Sequence, residues 1–214
     1  MFIRSKFNFG IADERELAGK MIDAVAQDVY YKDEPQIWIF DRGFPSLSLI
    51  QKLLEHRLYF VMRVSSSFLK EVNAFRKSKY VDRVIHIEYS EHRATQNHVH
   101  SDGISQFDLR CVRVKLPSGE DEILVTNLDR KDFPKRDIKE IYRLRWGIET
   151  GFNYLKNAVF VEEFVSKTEN GLAQDYFVSL LVYNFATCIC GSMYPNIPKK
   201  ENTSTRSIEE LPPD

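Results

Sequence analysis

Four residues of this 214-residue chain have the types and spacing that chemistry requires: Tyr142, Arg145, Glu149 and Lys156. On a helix turning about 100° per residue they fall within a sector of roughly 60°. Ile141, Leu144, Ile148, Phe152, Leu155 and Val159 recur every three or four residues and form an apolar stripe beside that sector. One helix therefore presents a phenol, a guanidinium, a carboxylate and an ammonium in a row along the edge of its buried face. Such a row suits a divalent metal on the carboxylate and phosphate oxygens on the cations. It also reads as a solvated face, because Arg145 and Glu149 stand four apart and pair on any exposed helix.

A second candidate is Asp41. It directly follows the apolar run Ile37-Trp38-Ile39-Phe40, which reads as a strand buried on both faces. An Asp at the carboxyl end of such a strand is where open α/β sheets place ligands. An Asp that opens a turn and caps the next helix has the same sequence appearance.

The elements that must position these residues are legible from periodicity. Phe2 to Phe9 alternates weakly as a strand, and a helix over 13–29 carries Leu17, Met21, Ile22, Val25 and Val29 on one stripe. After the 37–40 strand, Asp41-Arg42-Gly43-Phe44-Pro45-Ser46 is turn chemistry leading to a helix over 47–56. Residues 58–64 (LYFVMRV) read as another buried strand, with Arg63 toward the site side. Residues 65–134 change character: the alternating runs 84–89, 107–116 and 122–128, the last two separated by Pro117-Ser118-Gly119-Glu120, predict an antiparallel β insertion. The polar stretch 90–105 reads as a loop. Pro134 stands at a helix start, and an uncharged helix follows Gly171. The polar segment 195–214 is expected to be disordered.

Composition narrows the classes. Thirty Lys and Arg stand against 31 Asp and Glu, and hydrophobic residues make up 43%. These values exclude a collagen, a rod or a polybasic tail protein. Cys111, Cys188 and Cys190 are too few for a disulfide framework, which predicts a reducing, cytoplasmic setting. The first ten residues show no signal-peptide pattern. The uncharged stretch 176–194 approaches the length of a membrane span, but its interspersed Ser179, Asn184 and Thr187 favour a buried core helix. His92, His98 and His100 with Cys111 lack standard zinc-finger spacing and read as a solvated loop beside a core cysteine.

Taken in order, strand-Asp-Arg-Gly-Phe, a β-rich stretch, then Tyr-x2-Arg-x3-Glu-x6-Lys resembles the DDE transposases of bacterial insertion sequences. The likeness is to the group named for its Y-R-E-K signature, the insertion sequence 4 family. Ile39-Phe40-Asp41-Arg42-Gly43-Phe44-Pro45-Ser46 looks like that family's second-aspartate motif, and Glu14-Arg15-Glu16-Leu17-Ala18 also fits. The resemblance covers residues 12 to 190 or so. It implies an α/β fold, a partial RNase H-like (DDE) catalytic core with an antiparallel β insertion. The expected organisation is core over 1–64, insertion over 65–134, and C-terminal core helices over 135–194.

The resemblance also implies roles. Asp41 and Glu149 are the expected catalytic and metal-binding carboxylates, holding two Mg²⁺ ions. Tyr142, Arg145, Lys156 and Arg42 are expected on DNA phosphates. The partners implied are double-stranded DNA, as transposon ends and target, and a second copy in a homodimer, with no membrane. A first Asp is expected on a strand preceding the 13–29 helix. Asp13 is a helix cap, and Asp23, Asp28 and Asp33 lie in or just after the helix, so none takes that place. The expectation is the catalytic portion of a cut-and-paste transposase, inactive by itself. The alternatives are a catalytically dead remnant that binds DNA or a full-length transposase, and a small protein anchored through 176–194.

Overall fold

A computed structural model describes residues 13–31, 34–88, 106–115, 119–147 and 166–193. The chain divides into two compact units, one containing Glu14–Arg145 and one containing Trp146–Thr205. In the first, the order is α1 (Glu14–Ala26), β1 (Ile37–Phe40), α2 (Leu47–Glu55), β2 (Tyr59–Arg63), α3 (Lys70–Lys77), β3 (Asp82–Glu88), β4 (Gln106–Lys115), β5 (Asp121–Thr126) and α4 (Lys135–Arg143). The second unit contributes one described helix, α5 (Glu169–Met193).

The five strands form one sheet in the order β1-β2-β5-β4-β3. β1 and β2 are parallel, with Ile37 opposite Tyr59 and Phe40 opposite Met62. All other pairings are antiparallel. The neighbouring strands expected over 37–40 and 58–64 are thus present. The strands of the β-rich stretch extend the same sheet.

Alternation across the pleat explains why the central strands are continuously apolar. Phe40, Phe60, Met62, Leu109, Cys111, Ile123 and Val125 point to one face and pack with Ile22 of α1, Ile50 and Leu53 of α2, and Val72 and Phe75 of α3. Val61, Val112, Val114 and Leu124 point to the other, where Ile138 and Tyr142 of α4 cover them. Burial of the Cys111 side chain pushes its thiol up to about 12, with the nearby Asp82 charge adding to the rise, so it is an inert core group. His92, His98 and His100 lie outside the described residues.

Two expectations are corrected. The 65–134 stretch was read as strands and loop, yet α3 forms within it. Its sequence, KEVNAFRK, is polar, and only Val72 and Phe75 mark the buried face. Two apolar residues three apart are too little signal against alternating neighbours. The helix after Gly171 was expected to be a buried core element, but Phe177, Val178, Leu181, Val182 and Phe185 are exposed. They line one side of α5, at i, i+1, i+4, i+5 and i+8. Among the described residues no helix is long and apolar enough to cross a membrane. The strand expected over 2–9, the 90–105 loop and the 195–214 tail lie outside the described residues.

One buried arginine fixes the approach to α4. Arg110 of β4 is 3% exposed and donates to both carboxylate oxygens of Asp82, at 3.0 and 2.8 Å. It also donates to the carbonyls of Leu128 (3.3 Å), Asp129 (3.2 Å) and Phe133 (2.6 Å), in the connection from β5 to α4. Burial alone would raise the Asp82 carboxyl, but the Arg110 hydrogen bonds and charge, with Arg130, outweigh it and hold the pKa below the usual range.

Candidate functional site

The site is built at the end of the sheet where the two parallel strands finish. Phe40 opposes Met62, so the next residues, Asp41 and Arg63, leave their strands side by side. The turn after β1 is held by the Phe44 amide donating to the Asp41 carbonyl at 3.1 Å and by Arg15 Nε donating to the Gly43 carbonyl at 2.9 Å. Phe44 packs on Phe40 with ring centres 5.6 Å apart. Ser46 then caps α2, its hydroxyl accepting from the Leu49 amide at 3.2 Å. Both ends of the turn are therefore anchored, and the Asp41 carboxylate is left 42% exposed between them.

α4 delivers the second half. Its face is set by Ile138 and Tyr142, four apart and buried against the sheet. Helical backbone continues through Leu144 and resumes over 145–147. Tyr142 donates its hydroxyl to Asp41 Oδ1 at 3.2 Å, across 101 residues of sequence. Arg145 Nη1 lies 3.5 Å from Asp41 Oδ2, with its guanidinium 5.7 Å from the centre of the Tyr142 ring. Arg145 is largely buried, at 11% side-chain exposure.

Of the residues singled out from sequence, the structure brings together Asp41, Tyr142 and Arg145. Arg42 is exposed in the turn and makes no ion pair among the described residues. Glu149 and Lys156 lie outside the described residues. Arg63 joins the group, with Nη1 3.8 Å from Asp41 Oδ1. Its partner Glu122, ion-paired to Arg63 Nη2, was not anticipated. The signal for Arg63 was its position: it ends the second parallel strand as Asp41 follows the first. Glu122 carried no such signal, because its place beside Arg63 depends on how β5 pairs with β2.

Burial raises the Tyr142 phenol, and the Asp41 charge adds to the rise, reaching about 12 despite Arg145 and Arg63. Tyr142 is thus a neutral donor at physiological pH. An unfolded tyrosine ionises near 10, so the folded chain holds this proton more tightly. The resulting stability is complete below pH 10 and is lost as pH rises through 12, on the order of 2–3 kcal/mol in all. Chemical denaturation between pH 9 and 12 is expected to show this loss, and Tyr142→Phe is expected to remove that part of it. An unaltered alkaline profile in the variant would contradict the assignment.

Among the described residues Asp41 is the one carboxylate at this point. A half-exposed carboxylate at a strand end offers oxygen ligands of the kind divalent ions such as Mg²⁺ take. The contacts from Arg145 and Arg63 at 3.5 and 3.8 Å are long enough to exchange for such an ion. No group of three acidic, His or Cys side chains able to hold a metal occurs among the described residues.

The family model described as the transposase DDE domain matches residues 2–185, and the chain belongs to that family. A protein of Sinorhizobium fredii carrying a transposase name, y4zB, is 27% identical over 148 residues, covering 68% of this chain and 40% of the relative. The probable transposase for insertion sequence element IS5377 of Geobacillus stearothermophilus is 22% identical over 180 residues, covering 81% of this chain and 43% of the relative. The chain thus spans less than half the length of each. The mixed α/β arrangement around a five-stranded sheet is consistent with an RNase H-like DDE core.

Proposed function

We propose that this chain is the catalytic portion of a cut-and-paste DNA transposase of the Y-R-E-K group, cleaving phosphodiester bonds at transposon ends. The observation that carries the reading is the meeting of Asp41 with Tyr142 and Arg145, on elements about a hundred residues apart. Asp41 and Glu149 are the proposed metal ligands. In the sequence Glu149 stands four residues after Arg145, the spacing at which two side chains share one side of a helix. Bound divalent cations, Mg²⁺ in this proposal, would supply Lewis-acid stabilisation and an activated water.

The chain's own side chains do the rest. Arg145, Lys156 and Arg42 take non-bridging phosphate oxygens, and neutral Tyr142 orients the Asp41 carboxylate. Arg63, braced by Glu122, balances the Asp41 charge until DNA and metal arrive. Residues 1–64 and 135–194 form the core in this reading, with 65–134 as the insertion. The proposed setting is cytoplasmic, and the proposed active form is a homodimer on double-stranded DNA. A catalytically dead DNA-binding remnant is the second reading, favoured by Asp13, Asp23 and Asp28 lying beside or within α1 and not at the end of a described strand.

Arg145→Ala and Lys156→Ala are each expected to flatten the dependence of log K on log salt for duplex DNA by about 0.9, equally across sequences. Unchanged slopes would return both residues to a solvated face. Of the acids around α1, Asp13, Asp23 and Asp28 stand beside or within the helix, and none follows a described strand. The chain alone, incubated with Mn²⁺ and a transposon-end duplex, is therefore expected to cleave no more than its Asp41→Ala variant. Cleavage that the variant lacks would show that two carboxylates suffice.

A further inference from the structure

A second group of cations stands at the same end of the sheet, on the β4 side. It surrounds an open depression of about 400 Å³ lined by Ser78, Lys79, Arg113, Lys115, Asp121 and Lys135. Arg113 builds its wall and is fully engaged. It pairs with Asp121 at 3.2 Å and donates to the carbonyls of Tyr80, Phe75, Arg76 and Ser78 at 2.8 to 3.3 Å. Asp121, the carboxylate among the described lining residues, is thereby neutralised. Lys79, Lys115 and Lys135 are exposed, and none makes an ion pair or side-chain hydrogen bond among the described residues.

Three unpaired ammonium groups around one depression repel each other, and an anion between them relieves that cost. Their placement says which anion. β1 and β4 are three strand positions apart, or about 14 Å at the usual spacing. Lys135 opens α4 and Tyr142 lies seven residues on, about 10 Å along its axis. α4 therefore runs from the lysine group to the Asp41 group. A separation of about 14 Å matches roughly four base-pair steps of duplex. Exposed, flexible lysines also suit a passing backbone better than a small enclosed anion, which would need fixed, buried donors.

We propose that the Lys79–Lys115–Lys135 depression holds a phosphate of the DNA backbone, a contact separate from Tyr142 and Arg145 and displaced from them along the duplex. This rests on the proposed action on DNA and adds where the flanking duplex is held. The test uses the 214-residue chain and a duplex of about 30 base pairs, with binding followed by fluorescence anisotropy from about 50 to 200 mM salt. The Lys79→Ala/Lys115→Ala/Lys135→Ala variant is expected to reduce the slope of log K on log salt by about 1, alike for unrelated sequences. Single Lys115→Gln and Lys135→Gln variants should each show part of that change with unaltered thermal melts.

Arg145→Ala, measured in parallel, separates the two ideas. A slope lowered by Arg145→Ala but not by the lysine variants overturns this inference and leaves the proposed function standing. A slope lowered only by the lysine variants supports the inference and removes the Arg145 role. A slope changed by neither overturns both. Inorganic phosphate is the remaining probe: if it raises the melting temperature of the chain but not of the triple variant, while DNA slopes are equal, the depression takes small anions and the inference is wrong.

Discussion

Replacing Asp41 with alanine is expected to lower the chain's affinity for Mn²⁺ about a hundredfold, or roughly 3 kcal/mol. Hard divalent ions take oxygen ligands, and their affinity tracks the number of carboxylates in the site. Asp41 is the described acid at the meeting point of Tyr142, Arg145 and Arg63. Without it, two guanidinium groups face the site with one fewer negative charge between them, and the local field turns against any cation. Asp41→Asn keeps the shape and loses the charge, so it is expected to behave nearly as badly. Titration of Mn²⁺ followed by electron paramagnetic resonance reads the effect directly. Equal affinity in the variant would place the metal elsewhere.

The largest effect on folding is expected at Arg110. Arg110→Ala should lose about 3–5 kcal/mol in urea unfolding, the usual cost of breaking a buried ion pair by removing one partner. It leaves Asp82, at 12% side-chain exposure, with Arg130 as its one cationic partner among the described residues, and strips the Leu128, Asp129 and Phe133 carbonyls of a donor. The β5–α4 connection then loosens, and with it the placement of Tyr142 on Asp41. The double variant Arg110→Met/Asp82→Leu is expected to recover much of the stability, since apolar replacement of a buried pair is often near neutral. A loss under about 1 kcal/mol in Arg110→Ala would show the pair to be incidental.

The legibility of these features differed for physical reasons. β1 and β2 were readable because short, continuously apolar runs bounded by polar turns favour strands, although in β1 only Phe40 is buried. Asp41 was readable because a charge ends that run. Tyr142 and Arg145 were readable as neighbours on a helix, but their meeting with Asp41 is a tertiary fact, suggested by family resemblance and not by periodicity. Arg110 was invisible: in β4 it alternates like any outward-facing polar residue, and only the returning 128–133 connection buries it. α3 was missed because its polar sequence hides a two-residue buried face. The uncovered side of α5 could not have been foreseen, because an uncharged stretch as long as 176–194 is ordinarily read as core.

In the proposed site Asp41 and Glu149 share a metal beside Tyr142 and Arg145. Fe²⁺ loaded in place of Mg²⁺, with ascorbate and peroxide, cuts the backbone only next to the bound ion, and the fragments can be mapped by mass spectrometry. The account predicts two cut clusters, one in the turn at 41–44 and one over 142–149, both absent in Asp41→Ala. Cuts confined to other segments, or unchanged in Asp41→Ala, would contradict it.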